Sequence, residues 1–321
     1  MKVAYLTYTP ELEGSRLKIS RLFVEHFAAR VFYLQNNRPT GDLIAYAPDL
    51  IICHGDWCRH YEIPVLMGIP YILVEHDVQS MRATINYILE HQERMMIERA
   101  AGVMFTSEEY PEFLGSKYKL PPFMVMHLRP SEKDLCFEPK KKLDGNHLVY
   151  EGGLLQRRAQ GGAFGYRVYH EIFEAFLSCG WTVHLYPTTR TNEEQNTSEY
   201  EALGCNVYEP LPYGELLKEM SQYTAGLLAH NKCSDMAFEF GRASRPNKIW
   251  DYLAAGIPTI AYNQKNSGRM IEEGGWGISL RSLAHIPDLD LPGISPEMRQ
   301  EQVIEKDIPS LKAFVQARMK T

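Results

Sequence analysis

Residues 245–262 read Arg245-Pro246-Asn247-Lys248-Ile249-Trp250-Asp251-Tyr252-Leu253-Ala254-Ala255-Gly256-Ile257-Pro258-Thr259-Ile260-Ala261-Tyr262. This is the punctuation of a helix that ends sharply before a buried strand. Pro246 suits a first helical turn, where its missing N–H costs nothing. Gly256 supplies a left-handed cap, and Pro258 keeps the helix from running on into the apolar residues after it. Asn247, Asp251 and Ala255 stand at i, i+4 and i+8 and share one face, with Ile249 and Leu253 on the neighbouring stripe. An acid in that position has two readings. It can be an ordinary solvated side chain, or it can lie one turn below an anion held by the amides of Asn247 and Lys248 with help from the helix dipole. Spacing alone leaves both open.

Working outward, short β-rich runs alternate with amphipathic helices over most of the chain. Strands are expected at 2–7, 31–34, 50–53, 71–75 and 103–106, then at 147–151, 182–186, 206–208, 225–229 and 258–262. Helices are expected between them, at 17–29, 80–99, from Ser107, at 166–178, at 213–221 and through the stretch quoted above. Strands separated by helices demand parallel sheets with right-handed crossovers. Residues 130–146 interrupt the rhythm with Pro139, the run Lys140-Lys141-Lys142 and Asp144-Gly145. The fold class that follows is α/β with two doubly wound domains facing across a cleft. The expected layout is a first domain over 1–135, a linker over 136–146, a second domain over 147–305 and a terminal helix over 306–321.

A chain of 321 residues is long enough for two cores of this kind. Its net charge of -6 argues against a general nucleic-acid binder, although a local basic groove is compatible with it. The N-terminus reads as a strand rather than a signal peptide. No apolar run approaches the roughly eighteen residues needed to span a bilayer, which leaves peripheral membrane contact open. Six scattered cysteines without a signal peptide are expected to be reduced thiols in a cytoplasmic protein. Cys53-His54-Gly55-Asp56-Trp57-Cys58-Arg59-His60 has no second Cys/His pair at finger spacing, so no metal site is assigned there.

Ligands of open α/β sheets bind beyond the carboxyl ends of the strands. One such place is the turn Glu151-Gly152-Gly153-Leu154-Leu155-Gln156-Arg157-Arg158, where glycines admit a close ligand and two guanidiniums offer a phosphate clamp. The other is the helix that begins at Pro246.

The stretch from Pro246 to Tyr262 resembles the nucleotide-sugar signature of GT-B-fold glycosyltransferases of the retaining, family-four type. Residues 204–217, Gly204-Cys205-Asn206-Val207-Tyr208-Glu209-Pro210-Leu211-Pro212-Tyr213-Gly214-Glu215-Leu216-Leu217, are similar to that group's strand and proline-aromatic loop beside the base. Residues 225–230 resemble its strand leading into the donor pocket. The resemblance implies two Rossmann-like domains, with Asp251 gripping the donor ribose and Pro246, Asn247 and Lys248 at the diphosphate. It also implies Gly152 and Gly153 at the same phosphates, Tyr208 near the base, and Gly14 in the flexible loop after the first strand. His76, in Tyr71-Ile72-Leu73-Val74-Glu75-His76-Asp77, would face the donor sugar with Asp77 fixing its ring. Ala243 stands where the group commonly has a second acid, and Arg242, Arg245 and Lys232 are further sources of positive charge.

The activity implied is transfer of a sugar from a nucleoside diphosphate sugar to a hydroxyl acceptor, with retention at the anomeric carbon. Arg157, Arg158 and the Asn247 helix start would stabilise the leaving diphosphate without a metal. The acceptor would be a glycan, a small molecule or a lipid-linked sugar. The same fold leaves three alternatives: transfer to a modified base in DNA, a nucleotide-sugar epimerase, and a catalytically silent sugar-nucleotide binder.

Overall fold

A computed structural model of the chain describes residues 1–8, 14–34, 38–55, 61–82, 87–160, 164–187, 197–231, 241 and 243–319. The chain divides into two compact units, Met1–Leu128 with Ile304–Thr321, and Arg129–Val303.

The first unit is built on six parallel strands, β1 (Val3–Thr7), β2 (Arg30–Tyr33), β3 (Leu50–His54), β4 (Tyr71–Glu75), β5 (Gly102–Phe105) and β6 (Phe123–Val125). Their order is β2-β1-β3-β4-β5-β6. β1, β3, β4 and β5 are buried along their whole length, as central strands covered on both faces must be. β2 forms an edge and buries only Phe32. The helix Ile308–Arg318 belongs to this unit, where Ile308, Leu311 and Val315 join a core with Val3, Tyr5, Ile52 and Val74.

The second unit repeats the plan with β7 (His147–Gly152), β8 (Thr182–Pro187), β9 (Asn206–Val207), β10 (Ala225–Ala229), β11 (Thr259–Tyr262) and β12 (Gly277–Leu280). Its order is β12-β11-β10-β7-β8-β9, again all parallel. The helix read from the opening stretch is Lys248–Ala255, and it ends on Gly256 at φ 75° with the cap amide bonded back to Tyr252 and Leu253. Tyr252 lies flat over β10 because Gly226 has no side chain: a Cβ there would come within 2.3 Å of the ring. From that position the Tyr252 hydroxyl donates to the Leu227 carbonyl at 3.0 Å.

The structure differs from the sequence reading in three places. The segment read as a linker, 136–146, is bonded to the second unit: the Cys136 amide donates to Ala254 O (3.0 Å), Lys140 to Ser221 Oγ (2.9 Å) and Leu143 to Gln222 O (3.1 Å). The second unit ends at Val303 rather than 305. The helix expected over 80–99 is described over Gln79–Arg82 and Tyr87–Glu98, and residues 83–86 lie outside the described residues. β6 and β12 are not among the expected strands.

Candidate functional site

The helix Lys248–Ala255 begins its hydrogen-bond ladder with Ile249 N–H to Pro246 O (3.3 Å), followed by Trp250 and Asp251 to Asn247 O (2.9 and 3.1 Å). The amides of Asn247 and Lys248 come before that ladder and form the positive end of the helix dipole. Asn247 makes no side-chain cap bond. Pro246, Asn247 and Lys248 are half-buried.

Lys248 reaches from this helix start to the end of β7. Its Nζ lies 4.3 Å from the centre of the Tyr150 ring and 3.3 Å from the Tyr150 hydroxyl. Gly152 is what allows that approach. Its φ is 119°, open to glycine, and a Cβ there would lie 3.2 Å from Lys248 Nζ. At the next residue, Gly153, a Cβ would meet Arg167 Nη1 at 2.8 Å. The glycine turn is therefore flanked by two cations, Lys248 and Arg167. The Tyr150 hydroxyl holds the turn from below, 2.9 Å from the Gly153 carbonyl and 3.2 Å from the Tyr169 hydroxyl. Burial pushes the Tyr150 and Tyr169 phenols above their ordinary range, so both remain neutral hydrogen-bonding groups.

Arg157 and Arg158 are exposed in the short turn Arg157–Ala159. The Arg157 guanidinium is bonded to Glu174 at 2.6 Å and its amide to Glu199 at 2.9 Å. Glu199 also faces His170 Nε2 at 2.9 Å. The Arg157 guanidinium thus serves an ion pair with the helix His170–Ser178, while Arg167 takes the place beside the glycines that the sequence reading gave to the earlier pair. Arg167 is fourteen residues beyond Gly153 and carried no local sequence signal.

Asp251 is 6% exposed, which removes the reading of a solvated side chain. Its Oδ1 accepts from the Tyr213 hydroxyl at 2.7 Å. Tyr213 opens the helix Tyr213–Met220, which packs on the Asp251 helix through a core containing Leu217, Met220, Tyr252 and Ala255. Ala243 is buried nearby in sequence, at 7% exposure. Tyr208 lies farther along the sheet, half-exposed and stacked on Tyr186 at 4.9 Å, with its hydroxyl 3.0 Å from His184 Nδ1.

In the first unit, His76 follows β4. Its ring meets His54 edge-on at 5.4 Å, and its Nε2 is 4.0 Å from the Asp77 carboxylate, an ion-pair spacing rather than a hydrogen bond. Gly55 leaves room for the buried Glu75 carboxylate, which a Cβ would overlap. The carboxyl edge of this sheet also carries the His127–Glu108 pair at 2.9 Å and Glu109. Gly14 opens the helix Gly14–Phe27 after β1. Residues 9–13 of the expected glycine loop, Gly161 and Gly162, Lys232 and Arg242 lie outside the described residues. Among the described residues no group of three or more His, Cys, Asp and Glu side chains is arranged to hold a metal ion, and no helix is long and apolar enough to cross a membrane.

Residues 178–303 match the family described as Glucosyltransferase 3-like, C-terminal domain. That part of the second unit is thus similar to a glycosyltransferase C-terminal domain. The glycine turn before the matched stretch lies on the same sheet as the Lys248 helix within it. Across both units the chain has the GT-B fold, two six-stranded Rossmann-like sheets. It superposes on Anabaena HepE, solved in complex with UDP and glucose, with a TM-score of 0.69 at 12% identity, covering 99% of this chain and 100% of that one. Sucrose-phosphate synthase from Thermosynechococcus elongatus gives 0.64 at 12% identity over 98% of both chains. WaaG, a glycosyltransferase involved in lipopolysaccharide biosynthesis, gives 0.58 at 10% identity over 99% of this chain and 94% of that one. No curated protein sequence matches the chain.

Proposed function

We propose that the protein transfers a sugar from a nucleoside diphosphate sugar to a hydroxyl acceptor, with retention at the anomeric carbon. The observation that carries this reading is the convergence at β7 and the Lys248 helix. Two cations and a helix start border a glycine turn, and a buried acid lies one turn deeper. A diphosphate fits the first group and a ribose diol fits the second. The binding of UDP by the HepE structure supports the same donor class. Retention rests on the likeness of residues 246–262 to the retaining group's signature.

In the reaction, the bond between the anomeric carbon and the diphosphate oxygen breaks as the acceptor oxygen bonds to that carbon. The acceptor proton leaves with the diphosphate. Negative charge grows on the leaving oxygen, and Lys248, Arg167 and the Asn247 and Lys248 amides stabilise it there. Charge on these groups lets transfer proceed without a divalent cation. His76, at the end of β4, positions the sugar or acceptor hydroxyl, and Gly14 allows the acceptor-side loop to approach.

The acceptor is best read as a neutral hydroxylated molecule such as a glycan. Asp77, Glu108 and Glu109 follow strands of the first sheet, and acids there count against a polyanion such as DNA. The cysteines Cys53, Cys136, Cys179 and Cys205 are free thiols, in keeping with a cytoplasmic enzyme. A thermal-shift screen against UDP, GDP, ADP and their glucose conjugates tests the donor class. Incubation of the stabilising sugar nucleotide, radiolabelled, with glycan acceptors then separates transfer from epimerisation and from binding alone. Absence of a shift with every nucleotide would sink the reading.

A further inference from the structure

The Asp251 carboxylate is held by a group that the donor reading does not use. Tyr213 and Asp251 are thirty-eight residues apart, on the first turns of two helices that pack together. The Tyr213 ring is half-buried against the core of Leu217, Met220 and Tyr252, and its hydroxyl meets Asp251 Oδ1 at 2.7 Å. A carboxylate on a two-torsion side chain turns easily about its last bond. A strong bond from a phenol anchored by its own helix restricts that freedom. Burial, and then the Asp251 charge itself, push the Tyr213 phenol well above its ordinary range, so it donates throughout the neutral pH range.

We infer that Tyr213 is a positioning residue that orients the Asp251 carboxylate toward the two hydroxyls of the donor ribose, and so sets the preference for ribonucleotides over 2′-deoxyribonucleotides. The inference rests on the reading of Asp251 as the ribose acid. Two hydrogen bonds to a diol need the carboxylate plane fixed relative to the sugar. With that plane fixed before binding, the ordering cost falls on the fold rather than on the complex. Loss of the 2′-hydroxyl then costs one bond to a charged group, which is about tenfold or more in affinity. Once the carboxylate can rotate, it follows whichever hydroxyl remains, and the penalty for the missing one shrinks.

The test is calorimetry with the tightest-binding of UDP, GDP and ADP and with its 2′-deoxy counterpart, on the unsubstituted protein, Tyr213→Phe and Asp251→Ala. The unsubstituted protein is expected to prefer the ribonucleotide about tenfold or more. Tyr213→Phe is expected to bring that ratio to about two or three while leaving deoxynucleotide affinity within about twofold. Replacement of Tyr213 by 4-aminophenylalanine, which keeps the ring and an N–H donor, restores most of the ratio. If Tyr213→Phe melts below the assay temperature, 4-fluorophenylalanine fills the hydroxyl's volume without a donor and is read the same way. An unchanged ratio in the donor-less variants, or an equal loss of both affinities, overturns the positioning role. No preference in the unsubstituted protein, or a ratio unmoved by Asp251→Ala, overturns the ribose assignment instead.

Discussion

Lys248 sets its ammonium 4.3 Å above the Tyr150 ring, so a cation from a helix start is moored to the strand that ends in the glycine turn. The aromatic face is an attractive but uncharged partner, which leaves the positive charge available to a ligand. Lys248→Met keeps the stem and removes the charge. Affinity for a nucleoside diphosphate is expected to fall by about 1.5–3 kcal/mol, the scale of a lost bond to a charged group. Binding of the corresponding nucleoside, which has no phosphate, should not move. Calorimetry with UDP and uridine makes the comparison, and equal losses for both would remove Lys248 from the phosphate site.

Asp251→Ala removes the carboxylate and leaves the Tyr213 hydroxyl without the acceptor it now has. Two losses are expected together. Nucleoside diphosphate affinity drops by about 1–3 kcal/mol, and thermal stability falls by a comparable amount because a buried donor loses its bond. Calorimetric affinity unchanged in a folded variant would show that the acid is a packing residue only.

Arg157 and Arg167 separate two claims about the diphosphate. The Arg157 guanidinium is bonded to Glu174, whereas Arg167 borders Gly153. Arg167→Ala is expected to weaken diphosphate binding by about 1.5–3 kcal/mol. Arg157→Ala should change it by less than about 0.5 kcal/mol and cost at most about 1 kcal/mol of stability, as an exposed ion pair does. The reverse ranking would return the clamp to the position first read from the sequence.

The different surroundings of Arg157 and Arg167 show where sequence reasoning stopped. Helix punctuation is local, so the start at Pro246, the cap at Gly256 and the strand after Pro258 were all legible. The strand alternation was legible too, because central parallel strands are apolar on both faces. Contacts that cross elements left no local trace. Arg157 was favoured because it adjoins the glycines in the chain, while Arg167 returns to them only after a short turn and an intervening segment. Tyr213, expected at the start of a helix, meets Asp251 across thirty-eight residues, a contact with no local signature. The segment 136–146 looked like a linker by composition, yet its amides find acceptors on the second unit, a pairing that composition cannot report.

If Lys248, Arg167 and two helix amides hold the diphosphate as proposed, transfer is expected to persist in excess EDTA at a rate within about twofold of that in magnesium. A radiolabel transfer assay with and without chelator decides this. Loss of transfer on chelation, recovered by added magnesium, would assign the leaving-group charge to a bound cation instead.

Acid sensitivity follows from His184. Its ring packs against His147, Tyr208 and Tyr223, with Nε2 2.9 Å from His147 Nδ1 and Nδ1 facing the Tyr208 hydroxyl. Burial first, and then the neighbouring His147, lower its pKa to about 4 from an ordinary value of 6.5. The unfolded chain therefore takes up this proton before the folded one as pH falls. The associated stability is complete above about 6.5 and is lost progressively as the pH drops toward about 4. His184→Gln, which fills a similar volume without titrating, is expected to flatten the melting temperature against pH within that window. Carboxylates contribute equally to both proteins, so the difference between the two curves isolates the histidine. Parallel curves between pH 4 and 6.5 would mean that His184 takes up its proton at the same pH in the folded and unfolded chains.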